Sequence, residues 1–441
     1  MEIVGKNDLK KTLTPLMLWG LGVGYVISGL YFGWNLGLKE GGTLGMGIAT
    51  LVIIVLYACF SFSYAELACF IPKAGGVFDY ATRAFGKDIG FIAGMAQIIE
   101  FVFAPPAIAF AIGTYFHLFF PAIPVIYISI GAYITFTCLN ISGVKAAAIF
   151  ELVITIIAVA ELLVFAGVTL PHFQMKNLAH NALPNGWTGI LGALPFAVWF
   201  FLGIEGLANV AEETKNPQRD ILKGFGSALL TLVILCALTF VAAVGVGGWE
   251  IIVFDDPASS TVSDSPLPLA MRSIVGNNAL LYHLLITIGL FGLVASFHGL
   301  ILAAGRSTFE FGKAGLAPKF LGHIQPVVKT PDFALIANMV VGIILLLTNK
   351  TGDIIIISVL GALSLYIIAM ISLLGLRRKE PQTPRPFKVP GYPFTPVLAM
   401  LLAGTTFVLI GVYWYQLMLI YLGLMGLCFI LYKLFYKKST V

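Results

Sequence analysis

The chain has 441 residues, of which 59% are hydrophobic and 11% charged, with 26 Lys and Arg against 21 Asp and Glu. Soluble domains carry roughly a quarter charged residues, so this composition excludes a soluble fold, and a net charge of +5 gives no reason to invoke nucleic acid. Apolar runs long enough to cross a hydrocarbon core of ~30 Å recur from end to end, which predicts an all-α polytopic membrane protein.

Twelve spans are predicted in chain order, at 15–38, 43–71, 88–118, 123–141, 145–170, 188–211, 222–248, 279–308, 332–349, 352–376, 393–412 and 414–436. The first begins after Thr14-Pro15, is longer than a signal-peptide core and lacks a small-residue cleavage site, so it reads as a retained span. The longest connection, near 249–278, is too short for a soluble domain. Cys59, Cys69, Cys138, Cys236 and Cys428 lie in or beside apolar runs without CxxC spacing, and read as small buried hydrophobes with no disulfide framework or metal site.

The basic residues set the expected orientation. With the N-terminus inside, only Lys39, Lys176, Arg272 and Lys350 of the 26 fall outside, whereas Lys6, Lys10, Lys437, Lys438 and the rest fall inside. This is the positive-inside bias, and it predicts cytoplasmic termini, with segment 1–14 and tail 437–441 on the inner face.

Ionised side chains within a membrane cost about 2.5–3.5 kcal/mol each on the insertion scale, and they usually line a pathway. Glu66, Glu100, Glu151, Glu161 and Glu205 sit inside or near the ends of spans, and no Lys or Arg is expected at their depth. Unpaired buried acids suit a cationic substrate or protons. Glu100 precedes Pro105-Pro106, so it is either a ligand for a cation or a protonated acid bonded to backbone freed by a proline kink. Glu205, between Gly203 and Gly206, is either a second ligand or the cap of a broken helix. Glu66 reads as interfacial, Glu151, Glu161 and His298 as either structural or proton-coupling groups, and Trp199, Phe200 and Phe201 by default as packing.

Span one reads GYVISGLYFGW and span six FFLGIEGLANV. Each carries a Gly-flanked polar residue near mid-membrane, and the two spans run in opposite directions. Paired Gly-interrupted segments in matching places point to an inverted-repeat transporter with its site at the interruptions. Irregular backbone at that depth is tolerated only where it is buried in protein or lines a cavity. No HExxH, GxSxG elbow or phosphate loop is present, so neither an enzyme nor a cofactor is expected.

Four segments in order carry a resemblance: ELACFIPKAGGVFDYATRAFGKDIGFIAG entering span three, AEETKNPQRDILKG after span six, GRSTFEFGKAGLAPKF after span eight and PRPFKVPGYPFTP after span ten. Over nearly its whole length the chain resembles the amino acid–polyamine–organocation transporter superfamily. GYVISGLYFGWNLGL and IIEFVFAPPAIAFAIG are most similar to bacterial ethanolamine permeases. The resemblance implies a five-plus-five inverted repeat, 15–170 and 188–376, with broken helices one and six and two extra helices in 393–436.

It also implies a site. Amino acid carriers typically have Gly-Ser-Gly at the first break, where amides receive a carboxylate; here the triplet is Ile27-Ser28-Gly29. A usually small neutral position in span three is Glu100, which favours an ammonium substrate without a carboxylate. Trp199 matches an aromatic lid of related antiporters, and Ala158 replaces a lysine that serves as a sodium surrogate in some relatives, leaving coupling to protons or sodium open. The expected function is uptake of ethanolamine or a similar amino alcohol across a bacterial inner membrane, with an amino acid or polyamine permease or exchanger as the alternative. Candidate substrate-binding residues are Tyr25, Ser28, Gly29, Tyr31, Glu100, Trp199, Phe200, Gly203, Glu205 and Phe297. The expected partners are the substrate cation and the lipid bilayer, with the chain a monomer or homodimer.

Overall fold

The computed structural model describes residues 11–256, 261–276 and 280–436, excluding the side chains of 144–148 and 436. Lys6, Lys10, Lys437, Lys438 and the tail lie outside the described residues. The described chain is helical throughout, apart from two isolated bridges, Leu13 with Thr214 and Phe254 with Val262.

Nine helices among the described residues are long and apolar enough to cross a membrane, and three shorter apolar ones, Pro15–Val26, Val125–Ile141 and Asp332–Leu346, fill the remaining predicted places. Span one starts where its sequence directs. Thr14 caps it, accepting a 3.4 Å bond from the Met17 amide, and Pro15 occupies the first turn, where no amide partner is needed. Trp34–Phe70 joins two predicted spans through a sharp turn at Gly42 (φ 63°, ψ −170°). The remaining spans run Lys87–His117, Val125–Ile141, Val144–Thr169, Thr188–Trp199 with Ile204–Glu213, Pro217–Gly247, Leu280–Lys313, Asp332–Leu346, Thr351–Lys379, Phe394–Tyr413 and Tyr415–Tyr436.

The inward faces are almost wholly apolar, so the buried polar groups stand out by their pairing. Glu66 corrects the expectation that no basic group matches the acids in depth. It is fully buried and receives two bonds from Arg377, at 2.8 and 2.6 Å, and one from the Val389 amide at 2.7 Å. Arg385 adds a contact at 3.5 Å. The chain after span ten folds back to deliver Val389 and Arg385, which span counting does not anticipate. Arg377 lies over the Tyr392 ring and Arg385 over Phe70, so the cluster ties span two to span ten and its following loop.

The long connection between spans seven and eight carries two short helices, Trp249–Val253 and Pro266–Val275, and packs back onto the bundle. Asn35 donates to the Ser263 carbonyl at 2.7 Å, and Thr351 donates to Asp264 at 3.3 Å. Burial pushes the Asp264 carboxyl up to about 7, against a lowering by the Thr351 bond.

Glu66→Gln removes the only carboxylate facing Arg377 in this cluster and leaves buried guanidinium groups uncompensated. The expected loss is ~3 kcal/mol, the low end for a broken buried pair because Arg377 is partly solvated. Thermal unfolding in detergent checks it, and an unchanged midpoint refutes it. Asp264 has its acidity weakened by folding, so the folded state holds its proton more tightly than the unfolded one. Its contribution is present below the ordinary carboxylate range and is lost as pH rises through about 7. Asp264→Asn should therefore flatten the fall in unfolding temperature across that window.

Candidate functional site

The interruption of span one has two parts. At Ile27 the helical ladder is bridged by a neighbour: the Ser28 amide donates to Ser296 Oγ at 2.8 Å, and that hydroxyl donates to the Gly24 carbonyl at 2.6 Å. A hydroxyl from span eight thus stands in the place of one backbone bond, a recognised cause of helix kinks. Ser28–Tyr31 then makes one more turn, and the helix ends at Phe32 and Gly33, where φ is −157° and +87°. The full break therefore falls beyond Ile27-Ser28-Gly29, at the one glycine that supplies a positive φ.

Span six breaks where its glycines indicate. Thr188–Trp199 stops, Gly203 takes φ +104°, and Ile204–Glu213 continues as a 3-10 helix. Ten residues is long for that form, whose hydrogen-bond geometry is poorer than that of an α-helix. The two interruptions touch through their backbones. A Cβ on Gly29 would overlap the Trp199 carbonyl oxygen and lie 3.2 Å from Phe200 Cα, so glycine permits the approach. The Trp199 indole reaches back, donating to the Phe32 carbonyl at 3.1 Å with its ring edge-on to Phe32.

Glu100 and Glu205 adjoin, both fully or almost fully buried. Glu205 is well held: it accepts from the Gly203 amide at 3.0 Å and from the Tyr366 hydroxyl at 2.9 Å. Tyr366 is bonded in turn to Tyr57 at 2.8 Å. The capping role read for Glu205 is thus present, alongside a second bond that leads away from the break. Neither Glu100 oxygen accepts from a backbone or hydroxyl donor, so backbone freed by Pro105-Pro106 does not hold it, and the only group its carboxyl meets is the Glu205 carboxyl. Its backbone is fixed from span ten: Ser358 donates to the Glu100 carbonyl at 2.8 Å, and Gly361 packs against the Glu100 amide. Two ionised carboxylates this close in a dry interior repel each other. A shared proton or an intervening cation relieves that repulsion.

Other candidates separate by direction. The Tyr25 ring packs against Gly206 and Gly299, beside the span-six break, and its buried hydroxyl has no hydrogen-bond partner. Tyr31 is committed elsewhere: its hydroxyl lies 2.5 Å from Glu161 Oε2 and 2.9 Å from the Ala158 carbonyl oxygen, both in span five. Phe200 stacks on Trp34 at 5.5 Å, and Phe297 packs edge-on against Tyr133 at 5.0 Å. These three rings are engaged in interhelical contacts rather than gathered around Glu100. Glu161 and Tyr31 flank a cavity of about 10 Å³, room for roughly one water. Glu151 pairs with His298 at 3.0 Å.

Sequence reasoning missed Ser296, Tyr57, Tyr366 and Ser358. Their signal was present, a hydroxyl within an apolar span, but such residues are common where they merely bond their own helix. Among the described residues no cluster of His, Cys, Asp and Glu fit to hold a metal occurs.

The family model described as amino acid permease matches residues 13–436. The chain is 27% identical to a branched-chain amino acid permease of Bacillus subtilis, covering 99% of this chain and 95% of that one. It is 26% identical to a low-affinity putrescine importer of Escherichia coli, with 94% of each covered. It is also 27% identical to a serine/threonine exchanger of Bacillus subtilis, with 91% of each covered.

Ser296→Ala removes the hydroxyl that serves the Gly24 carbonyl and Ser28 amide together. Leaving such groups unsatisfied costs about 1–3 kcal/mol. Hydrogen exchange at Ser28 should quicken and the unfolding temperature fall, with both restored by Ser296→Thr.

Proposed function

From the premise that the chain belongs to the amino acid permease family, and is a membrane transporter rather than an enzyme, we propose that it carries a small amino alcohol cation such as ethanolamine into a bacterial cell. The observation that carries this reading is Glu100: a fully buried carboxyl that accepts from no backbone, hydroxyl or basic group and meets only a second acid, Glu205, whose oxygens are already bonded. An ammonium placed between Glu100 and Glu205 gives Glu100 its partners and cancels the repulsion between the acids. Charge-assisted hydrogen bonds of this kind are the strong ones. A substrate carboxylate would instead meet two acids.

The hydroxyl end of the substrate falls to the first interruption. With the Ser28 amide taken by Ser296, the Ser28 side chain and the backbone around Gly29 supply the polar contacts. Tyr25 offers a ring face and a free hydroxyl, and Trp199 closes the site by holding the Phe32 carbonyl. Transport proceeds by rocking one bundle against the other in a five-plus-five inverted repeat, 15–170 and 188–376, with both termini cytoplasmic.

A second reading, a polyamine or amino acid carrier, is favoured by one observation. Relatives over nearly the full length include the putrescine importer and two proteins named for amino acids. Uptake of labelled ethanolamine into liposomes, competed by putrescine, serine and leucine, decides between them. Preferential competition by putrescine or an amino acid at low concentration favours the second. Glu100→Gln deletes a charged hydrogen bond of ~1.5–3 kcal/mol, so the apparent affinity for ethanolamine should weaken by about 10- to 100-fold. Unchanged affinity in a well-folded variant rules out the charge pair.

A further inference from the structure

We propose that Glu151 and His298 form a proton-binding site that couples proton movement to the carrier cycle, a proposal that rests on the transporter reading above. The pair joins span five to span eight, and both side chains are 1% exposed. His298 Nδ1 lies 3.0 Å from Glu151 Oε2, while His298 Nε2 and Glu151 Oε1 have no hydrogen-bond partner. With Glu151 ionised, the first contact assigns the tautomer: Nδ1–H donates to the carboxylate, and Nε2 presents its lone pair. Without a further proton the pair carries charge −1. A proton taken from the acidic side binds Nε2 and brings the pair to zero as imidazolium and carboxylate. Release to the opposite side restores −1.

The surroundings make that change matter to span one. Glu151 Oε1 lies against Gly24, so closely that a Cβ there would overlap it. The Gly24 carbonyl is held by Ser296, two residues before His298 on the same helix, and Gly299, the residue after it, packs on the Tyr25 ring. Three neighbouring positions of span eight therefore hold the proton site, the bridge across the interruption and the ring beside the span-six break. A change of charge at the pair acts where the interrupted helix is held together.

The groups facing the pair are few. Phe136 of span four and Phe150 of span five pack around His298, and Asn140 of span four donates to the His298 carbonyl at 3.2 Å. Thr155 of span five is bonded to the Gly20 carbonyl of span one. Of titratable groups, Tyr25 of span one senses Glu151, and beyond it the Arg306–Glu213 pair joins span eight to the end of span six at 2.6 Å. His298 is the one titratable side chain hydrogen-bonded to Glu151 among the described residues. Glu161 is a separate case, already bonded to Tyr31.

Two readouts test the proposal. The chain has six histidines, and ¹⁵N-histidine spectra of the purified protein identify the His298 signal by its loss in His298→Gln. Followed from about pH 5 to 9, that signal should change as the pair takes up a proton, and the change should differ in Glu151→Gln. A fixed protonation state across the range overturns the proposal. In liposomes, one pH unit, acid outside, is worth ~1.36 kcal/mol and permits about tenfold accumulation of labelled ethanolamine. The ratio of gradient-driven to equal-pH uptake should fall to about one in each variant, and a wild-type ratio in either one overturns the proposal. Wild-type protein that carries no ethanolamine, putrescine, serine or leucine in either arm sinks the carrier reading instead, and the histidine titration then decides the proton site alone.

Discussion

Within a bilayer every backbone N–H and C=O must find a partner in the protein, because the surrounding lipid offers none. Span one meets this demand with a borrowed group: the Ser296 hydroxyl accepts from Ser28 and donates to Gly24, so both of those backbone groups are paired. Span six meets it differently, through a left-handed glycine, a tighter helical form and a carboxylate that takes the Gly203 amide. Each solution recruits a group from elsewhere in the fold or from the break itself. The interruptions are consequently held in place by the same side chains that give their surroundings chemical character.

That constraint also sorts the buried acids. Glu66 has guanidinium and amide partners and serves as a tie between helices. Glu161 has a phenol, Glu205 a phenol and an amide, and Glu151 an imidazole. Glu100 alone among these five meets only another acid, Glu205, yet Ser358 of span ten holds its carbonyl and Gly361 packs on its amide. Under the proposed function, this is the side chain that meets the substrate ammonium.

Much of the architecture was legible because apolar length and charge bias are summed over many residues. Helix starts and ends can shift by a few residues without changing the span count, and the breaks at Gly203 and in span one announce themselves by glycine. The position of the first break was harder to read. Ser28 and Gly29 are poor helix formers, but the hydroxyl of Ser296 lets the turn persist, and the chain leaves helical geometry only at Gly33. The pairing of Glu66 was invisible for a related reason: Arg385 and Val389 are supplied by a loop that folds back, and no local pattern encodes that path. Directions of rings were equally hidden. Tyr31, Phe200 and Phe297 have the right residue type and depth, and only packing determines that they face span five, Trp34 and Tyr133.

The backbone contact between Gly29 and Trp199–Phe200 has a bearing on how such a carrier diversifies. A position where any side chain collides with a neighbouring main chain is closed to variation, whatever substrate is under selection. Glu100 and Ser28 extend from their helices as side chains, and exchanges there alter the lining without forcing the two interruptions apart. New substrate preferences in a laboratory selection should therefore accumulate around position 29 and leave that glycine unchanged.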